Sequence, residues 1–552
     1  MGALFSRLRL IYQTLKSISD SFSVLLERIS LDPGLPVPNP SRSYWCEPTS
    51  PLNARLPVPP LPEYADVVII GSGIAGTSIA RTLLASLEKG QSLRIVMLEA
   101  RETIPSSRPS MVPARPKAII RFRLAHLPIL LEIAAEEDLL LQSQARTVEQ
   151  IDAYLQESLY DRAKVALERY LAACPEQRGK HTTQEEKSVL KDFQLSSRVT
   201  GCISQTGGAL HPYRLITGIL SRLLISYPRH VFHSGRPVFF DCCLSFQLFT
   251  NTPCTAIDLT ADGTSYKITT PTGTLETAHV VHATNAWASH LLPGMRRKIV
   301  PVRAHMTAQR PGIALGQGEG WLAILDGDSL QPTTGGVDGS STSDPYDSIS
   351  SGDGGEMMFG GGAMLGGRAE AAIMDNIGVS DESETDFEVT AYLGGAGTAP
   401  TTEKAEEGRQ WRAGRIKAAW SGIIAISADG QPWIGRIPRC VTDRDELRKH
   451  PPPPSRPDNP SLAHPGEWIA AGFNGEGMTH AWLAGAALAR MLLNDSNNEN
   501  AAHGETALEV PPLPLQFVIT EKRWREADIE SFFGRCGVWM TVTQVAFSQA
   551  ES

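Results

Sequence analysis

Six consecutive residues, Gly71-Ser72-Gly73-Ile74-Ala75-Gly76, have the types and spacing to hold a dinucleotide. Gly71 permits a tight turn, Gly73 lets a pyrophosphate approach the backbone, and Gly76 lets a helix pack closely on the strand before it. The preceding run, Asp66-Val-Val-Ile-Ile70, is continuously apolar after its first residue, as a parallel strand buried on both faces requires. The following run, Thr77-Ser-Ile-Ala-Arg-Thr-Leu-Leu84, reads as a helix whose N-terminal N–H groups face the phosphates. A second strand, Arg94-Ile-Val-Met-Leu98, ends on Glu99, about 20 residues past the last glycine, where a carboxylate accepts hydrogen bonds from ribose hydroxyls. A glycine turn without chemistry would leave Glu99 a solvated acid; the complete series of strand, turn, helix, strand and acid favours the dinucleotide.

NAD and FAD share this fingerprint, so the choice between them rests on the other end of the chain. There Glu467-Trp-Ile-Ala-Ala-Gly-Phe473 reads as a strand, Asn474-Gly-Glu-Gly477 as a turn, and Met478 to Leu492 as a helix. Trp420-Ser-Gly422 and Asp429-Gly-Gln-Pro-Trp-Ile-Gly435 precede them. With Gly207-Gly-Ala-Leu-His-Pro-Tyr-Arg214, Asn251-Thr-Pro-Cys254, Val280-Val-His-Ala-Thr-Asn-Ala286 and Lys298-Ile-Val-Pro-Val-Arg303, these segments resemble, in order and spacing, the FAD-dependent oxidoreductases of the D-amino-acid oxidase and sarcosine oxidase superfamily. The resemblance runs with gaps from Tyr64 to Leu492, and is greatest to the fungal and bacterial branch acting like gamma-glutamylputrescine oxidases.

That resemblance implies an α/β fold, a Rossmann-type FAD-binding domain interleaved with a smaller α+β substrate domain. It implies FAD as cofactor, a small amine or amino acid as substrate, and oxygen or another electron acceptor as second partner. Gly71, Ser72, Gly73, Ile74, Ala75 and Gly76 would carry the pyrophosphate, and Glu99, Ala100 and Arg101 the ribose side. Gly472, Gly475, Gly477 and Met478 would lie along the flavin, and Cys254 would meet adenine through its backbone. The physics of the second group is sound, because N–H groups at a helix start stabilise the negative charge of a reduced flavin. Hydride transfer from a C–N carbon needs no dedicated base, and none is assigned. Substrate-contact candidates are His211, Tyr213, Arg214 and Arg303, since an Arg fork suits a carboxylate; each has a structural alternative, Arg214 as the solvated start of a helix. His480 reads as a packing residue rather than a flavin attachment point.

One departure from the resembling chains is plain. They follow the Glu99 strand with a glycine-rich loop, whereas this chain runs Arg101 to Pro116 through several prolines, and no glycine occurs from Gln91 to Arg178. Backbone close to pyrophosphate and flavin needs glycine for space and proline removes N–H donors. A catalytically impaired flavin-fold protein is therefore the alternative reading, and an NAD-dependent dehydrogenase the third. His233 to Phe246 also reads as extra sequence between matching stretches.

These elements must be positioned by a chain of 552 residues, more than one core at roughly 150 residues per domain. The expected division is a discontinuous FAD-binding domain of 63–118, 196–300 and 411–495, a substrate domain of 119–195 and 301–410, an N-terminal amphipathic helix with proline-rich linker over 1–62, and a tail over 496–552. Helical spacing runs from Ile119 to Cys174, with Pro128 splitting its first helix. Gly335–Gly355 and Pro451–Pro465 read as loops. In the N-terminal helix Leu4, Leu8, Ile11, Leu15, Ile18, Phe22, Leu25 and Ile29 form one apolar stripe, suited to docking on the protein's own body, on a second subunit, or on a membrane surface. A net charge of −9 disfavours nucleic acid as partner. The 8 cysteines, without a CxxC pair or metal spacing, predict no metal site and a reduced, cytoplasmic protein.

Overall fold

Tyr64–Ile70 is a central strand of the first of two eight-stranded sheets in the computed structural model. The structure describes residues 2–54, 60–87, 91–101, 117–187, 195, 197–228, 244–309, 321–325, 330–334, 357–361, 376–396, 416–445, 447, 462–494 and 510–535. The stretch 102–116, most of the segment His233 to Phe246, Gly335–Gly355 and most of Pro451–Pro465 lie outside the described residues.

The strand is central because Ala65 to Ile70 is buried on both faces. Val68 lies opposite Val96 of Leu93–Leu98 on one side and Val280 of Gly273–His282 on the other, both in parallel. Leu244–Phe249 extends the parallel order past Leu93–Leu98, and Gly466–Ala471 extends it past Gly273–His282, with Trp433–Arg436 antiparallel at the edge. Ala256–Leu259 and Tyr266–Thr270 lead antiparallel into Gly273–His282. Parallel neighbours need long crossovers, and the helix Ile74–Ala85 supplies the first. Against it packs the helix Gly477–Leu492, at a separation that only small residues allow: a methyl on Gly485 would lie 2.7 Å from the Ala75 carbonyl oxygen. The Ser78 hydroxyl donates to the Trp482 carbonyl at 2.6 Å across this contact. Leu83, Ile79, Trp482, Leu488 and Phe122 fill the core beside it.

The second sheet has the order Ile416–Ser427, Ile299–Gln309, Met357–Gly361, Leu330–Thr334, Trp321–Leu325, Arg146–Tyr154, Gly201–Ala209, His181–Gln184. Among the described residues its pairings are antiparallel except Trp321–Leu325 on Arg146–Tyr154. Gly201–Ala209 and Ile416–Ser427 thus sit in this second layer, although the sequence division grouped both with the dinucleotide unit. Arg146–Tyr154 interrupts the region predicted helical from Ile119 to Cys174. Its β-branched Thr147, Val148 and Ile151 favour a strand, and pairing with Gly201–Ala209 buries Ile151 and Ala153. The helices Lys117–Leu124 and His126–Glu136 divide just before Pro128, which occupies a first turn where a missing N–H costs nothing.

Gly2–Arg28 is one helix. Its apolar stripe docks at the C-terminal end, where Leu25 and Ile29 are buried among Val302, Ile377 and Ile426, and Arg28 Nε donates to the Ile377 carbonyl at 2.6 Å. Ile11, further up the stripe, is exposed. The last described segment packs on the body as well: Arg523 makes two bonds to the Asp429 carboxylate (2.8 and 3.1 Å), stacks over the Trp433 ring at 3.8 Å, and donates to the carbonyls of Gln431, Pro432 and Phe517. Among the described residues no helix is long and apolar enough to cross a membrane.

Candidate functional site

The parallel strands end together on one side of the first sheet, and their last residues form the floor of a cleft enclosing about 1170 Å³ including its open mouth. Ligands of open α/β sheets bind at such carboxyl ends. Gly71 leaves its strand at a φ of +105°, and a methyl there would meet the Ala283 carbonyl oxygen of the neighbouring strand at 2.5 Å. Gly76 is closer still, its missing methyl 2.1 Å from the Gly71 carbonyl oxygen. Gly73 differs from both. Its φ of −63° and ψ of −175° suit any residue, and nothing lies within 4 Å of where its methyl would be. The protein does not need glycine there, but a pyrophosphate against the N–H groups of the Ile74–Ala85 helix does.

Glu99 caps the second strand at this floor and is 8% exposed. Its Oε2 accepts from the Ser72 N–H at 3.0 Å and the Ser72 hydroxyl at 2.8 Å, and its Oε1 accepts from the Arg101 N–H at 3.1 Å. A carboxylate has about four acceptor positions, so room remains for a ribose hydroxyl. The turn Asn251–Cys254 is tied on, the Thr252 N–H donating to the Glu99 carbonyl and the Asn251 N–H to that of Arg101. Burial lifts the Cys254 thiol to about 12, and it points to the Ala256 carbonyl at 3.6 Å, so the sulfur is inert.

The opposite wall comes from the ends of Gly273–His282 and Gly466–Ala471. Asn285, in the left-handed region at φ 44°, accepts from the N–H groups of Gly472 and Phe473 at 3.1 and 3.2 Å. Asn474 accepts from the Ser427 N–H at 2.7 Å and donates to the Gly472 carbonyl at 3.2 Å. Glu476, 1% exposed, receives the Arg123 guanidinium at 2.5 Å. His126 holds the helix behind the turn: its Nδ1 donates to the Phe122 carbonyl at 2.8 Å and its Nε2 accepts from the Leu483 N–H at 3.3 Å. Burial pulls this imidazole down to about 4, so it is neutral. His480 is fully buried, edge-on to Phe517 at 5.2 Å, as a packing residue would be.

The cleft brings together Gly71, Gly73, Ile74, Ala75, Glu99, Ala100, Arg101, Cys254, Gly475 and Gly477 from the sequence-predicted set. Ser72, Gly76, Gly472 and Met478 stand just behind this surface, where Ser72 orients Glu99 and Met478 packs on the core. The four substrate-contact candidates do not line it. His211 caps the helix Pro212–Ser226, its Nδ1 accepting from the Arg214 N–H at 3.3 Å, and burial with Arg214 nearby pulls it to about 3. The Tyr213 hydroxyl accepts from the Ser50 N–H at 2.7 Å, Arg214 is half-buried on the same helix, and Arg303 Nε donates to Asn376 Oδ1 at 2.7 Å. Sequence reasoning missed Asn285, whose signal was the Asn of a matching stretch, and Trp287, Ile423 and Ile424, which carried none. Arg101 crosses the cleft wall, stacked at 5.2 Å on the Trp287 ring and ion-paired to Glu382, whose carboxylate also accepts from the Ile423 N–H at 3.2 Å.

Thr284 Oγ1 and Trp287 Nε1 are buried polar atoms with no partner among the described residues, and both residues line the cleft. Buried donors left unmade cost about 1–3 kcal/mol each, so a polar ligand belongs beside them. The bare Gly73 backbone, the spare acceptor on Glu99 and these two groups fit FAD.

Residues 243–491 match the family of FAD-dependent oxidoreductases abbreviated DAO. No curated protein sequence matches the chain significantly. Among solved structures the fold is similar to glycine oxidase from Geobacillus kaustophilus (15% identity, TM-score 0.53, covering 83% of this chain and 99% of that one). It is similar also to L-proline dehydrogenase from P. horikoshii (17%, 0.53, 82% and 96%) and to L-amino acid deaminase from Proteus myxofaciens (15%, 0.54, 88% and 97%). At these identities the likeness is one of fold.

Proposed function

Because residues 243–491 match the DAO family of FAD-dependent oxidoreductases and the fold is similar to that of glycine oxidase, we propose that the chain is an FAD-dependent oxidoreductase that oxidises a C–N bond of a small amine or amino acid. The observation that carries this reading is a dry wall, Trp287, Ile423, Ile424 and Phe473, in the same cleft as the phosphate-side glycines and the Gly475–Gly477 turn. When bound, FAD supplies the hydride acceptor and passes the electrons to oxygen or another acceptor. The chain's part is to align and to dehydrate. The Gly71–Gly76 turn and Glu99 would hold the ADP half, the N–H groups at the Gly477 helix start would serve the flavin's pyrimidine edge, and the apolar wall would exclude water from the reacting carbon. The amine's C–H bond breaks with its electron pair leaving as hydride, while the nitrogen lone pair forms the C=N bond.

No side chain of the described cleft is offered as a base. Its acidic and basic side chains are Glu99, Arg101 and His290, and these are engaged by Ser72, by Glu382 and by Asp32. The substrate amine therefore arrives neutral, and activity rises as the free amine deprotonates. The names of the fold neighbours, glycine oxidase, L-proline dehydrogenase and L-amino acid deaminase, accord with nitrogen-bearing substrates. A second reading, cofactor binding without turnover, rests on the proline-bearing, glycine-free sequence from Arg101 to Pro116.

One experiment separates the two. Anaerobic mixing of the FAD-loaded protein with a panel of amines and amino acids bleaches the flavin band if the proposal holds. A flavin that dithionite reduces but no amine or amino acid does would overturn it in favour of the second reading.

A further inference from the structure

The cleft has a wall that belongs to neither sheet. Gly34, Leu35 and Pro36, from the segment read in the sequence as a linker, line it together with Trp287, His290, Leu291 and Ile423. This stretch has no regular secondary structure, yet it is fastened at both ends and to both layers. On the dinucleotide side the Asp32 carboxylate accepts from His290 Nδ1 at 2.9 Å and from Arg296 Nη2 at 3.0 Å, and it also caps the turn by accepting from the Gly34 N–H at 2.8 Å. On the other side the Pro33 carbonyl accepts from the Ser380 hydroxyl at 2.6 Å, and the Ser41 N–H donates to the Glu382 carbonyl at 2.7 Å. The Ser421 N–H donates to the Ser41 hydroxyl at 2.9 Å. Upstream, buried Leu25 and Ile29 anchor the segment in the core of the second sheet.

A connector with no task at the cleft would need none of these ties, because linkers run free over the surface. The anchors instead fix a short, turn-stabilised stretch whose Leu35 lines the cleft while 38% exposed. A bound ligand would cover that surface. Glu382 joins the same structure to the cofactor side, since it also pairs with Arg101 from the end of the Glu99 strand.

We propose that Leu31–Pro36 is part of the FAD site, a strap that walls the bound cofactor, with Asp32 as the residue that positions it. This rests on the FAD-binding reading above. Release of FAD then requires Asp32 to let go of His290 and Arg296, so the strap sets the rate at which the cofactor leaves. Leu35 makes the contact and Asp32 acts through it.

The test is FAD release from the full-length holoenzyme, followed by the fluorescence of freed flavin after dilution. Asp32→Ala removes three hydrogen bonds, one of them to the Arg296 guanidinium, and is expected to speed release about tenfold, Asp32→Asn by less, and Leu35→Ala, which leaves every anchor intact, by several fold. Thermal unfolding of the apoprotein is the second readout. A purely structural role for Asp32 would lower the apoprotein Tm and leave the Leu35→Ala release rate at that of the parent. Wild-type release in both Asp32→Ala and Leu35→Ala overturns the strap while leaving FAD binding intact. Should Asp32→Ala not fold, Leu35→Ala alone decides. A parent protein that takes up no FAD on reconstitution overturns the cofactor reading itself, and the strap with it.

Discussion

Gly73→Ala separates what the fold requires from what the cofactor requires. At Gly76 a methyl would stand 2.1 Å from the Gly71 carbonyl oxygen, and reaching the shortest tolerable contact of 3.0 Å means about 0.9 Å of movement between strand and helix. Both are backbone, neither yields alone, and overpacking of this kind costs about 1–3 kcal/mol. Gly73 has open space where its methyl would be, and a backbone that alanine adopts without strain. Removing glycine's freedom in the unfolded chain then leaves apoprotein stability unchanged or raised by about 0.5 kcal/mol. In the proposed FAD-bound protein the same methyl would occupy the place of the pyrophosphate. Displacing the phosphate from two charge-assisted N–H bonds costs about 3 kcal/mol, or about two orders of magnitude in Kd. Urea unfolding of the apoproteins and FAD titration by fluorescence quenching read the two quantities separately. Gly76→Ala is expected to lose both stability and binding, and Gly73→Ala binding alone. If Gly73→Ala unfolds as readily as Gly76→Ala, or binds FAD like the parent, the assignment of this cleft to the pyrophosphate is wrong.

Glu99→Gln replaces an acceptor serving Ser72 or Arg101 with a donor; the loss of one charge-assisted bond should weaken FAD binding by about 2 kcal/mol, roughly thirtyfold, in the same titration. Arg523→Ala removes the cation paired with the Asp429 carboxylate and the donor to three carbonyls at once. It should lower unfolding stability by about 3 kcal/mol, and an unchanged urea midpoint would show that the C-terminal segment is not integral. His126 is held neutral, its pKa pulled by burial from 6.5 to about 4. As pH falls the unfolded chain takes up this proton first, so the contribution is complete above pH 6.5 and is lost between 6.5 and 4. It amounts to about 3 kcal/mol at about 1.4 kcal/mol per pH unit. Urea midpoints measured across that window should fall steadily, and less steeply in His126→Gln.

The strand, glycine turn, helix and strand-end acid of the cleft floor were legible in the sequence because their physics is local. A buried strand, three glycines at fixed offsets and an acid at the next strand end lie within Asp66 to Glu99 and need no knowledge of the rest of the chain. The C-terminal glycine turn was legible through its own strand and helix. What escaped has its cause in contacts between distant segments. His211 and Tyr213 carry chemistry-bearing groups, but a helix cap and the Ser50 N–H engage them, and only the folded chain shows which atoms face them. Arg146–Tyr154 lies in a stretch of helix-forming residues and becomes a strand because Gly201–Ala209 offers it an edge. Ile423, Ile424 and Trp287 carry no signal in the sequence, and only their place in the folded chain makes them a wall. The proline-rich segment after Leu31 read as a linker because proline content reports stiffness and not destination. Its destination is set by Asp32 meeting His290 and Arg296, more than 250 residues on.

In the proposed function one cleft, floored by Gly71–Gly76 and Glu99 and walled by Trp287, Ile423, Ile424 and Phe473, holds FAD for C–N oxidation. The visible spectrum of the purified, FAD-reconstituted protein before and after anaerobic addition of amines and amino acids decides it. A flavin band retained through gel filtration and bleached by at least one such compound is the expected result. A protein that emerges colourless, or whose bound flavin stays oxidised with every amine and amino acid while dithionite reduces it, rules out FAD-dependent C–N oxidation in this cleft.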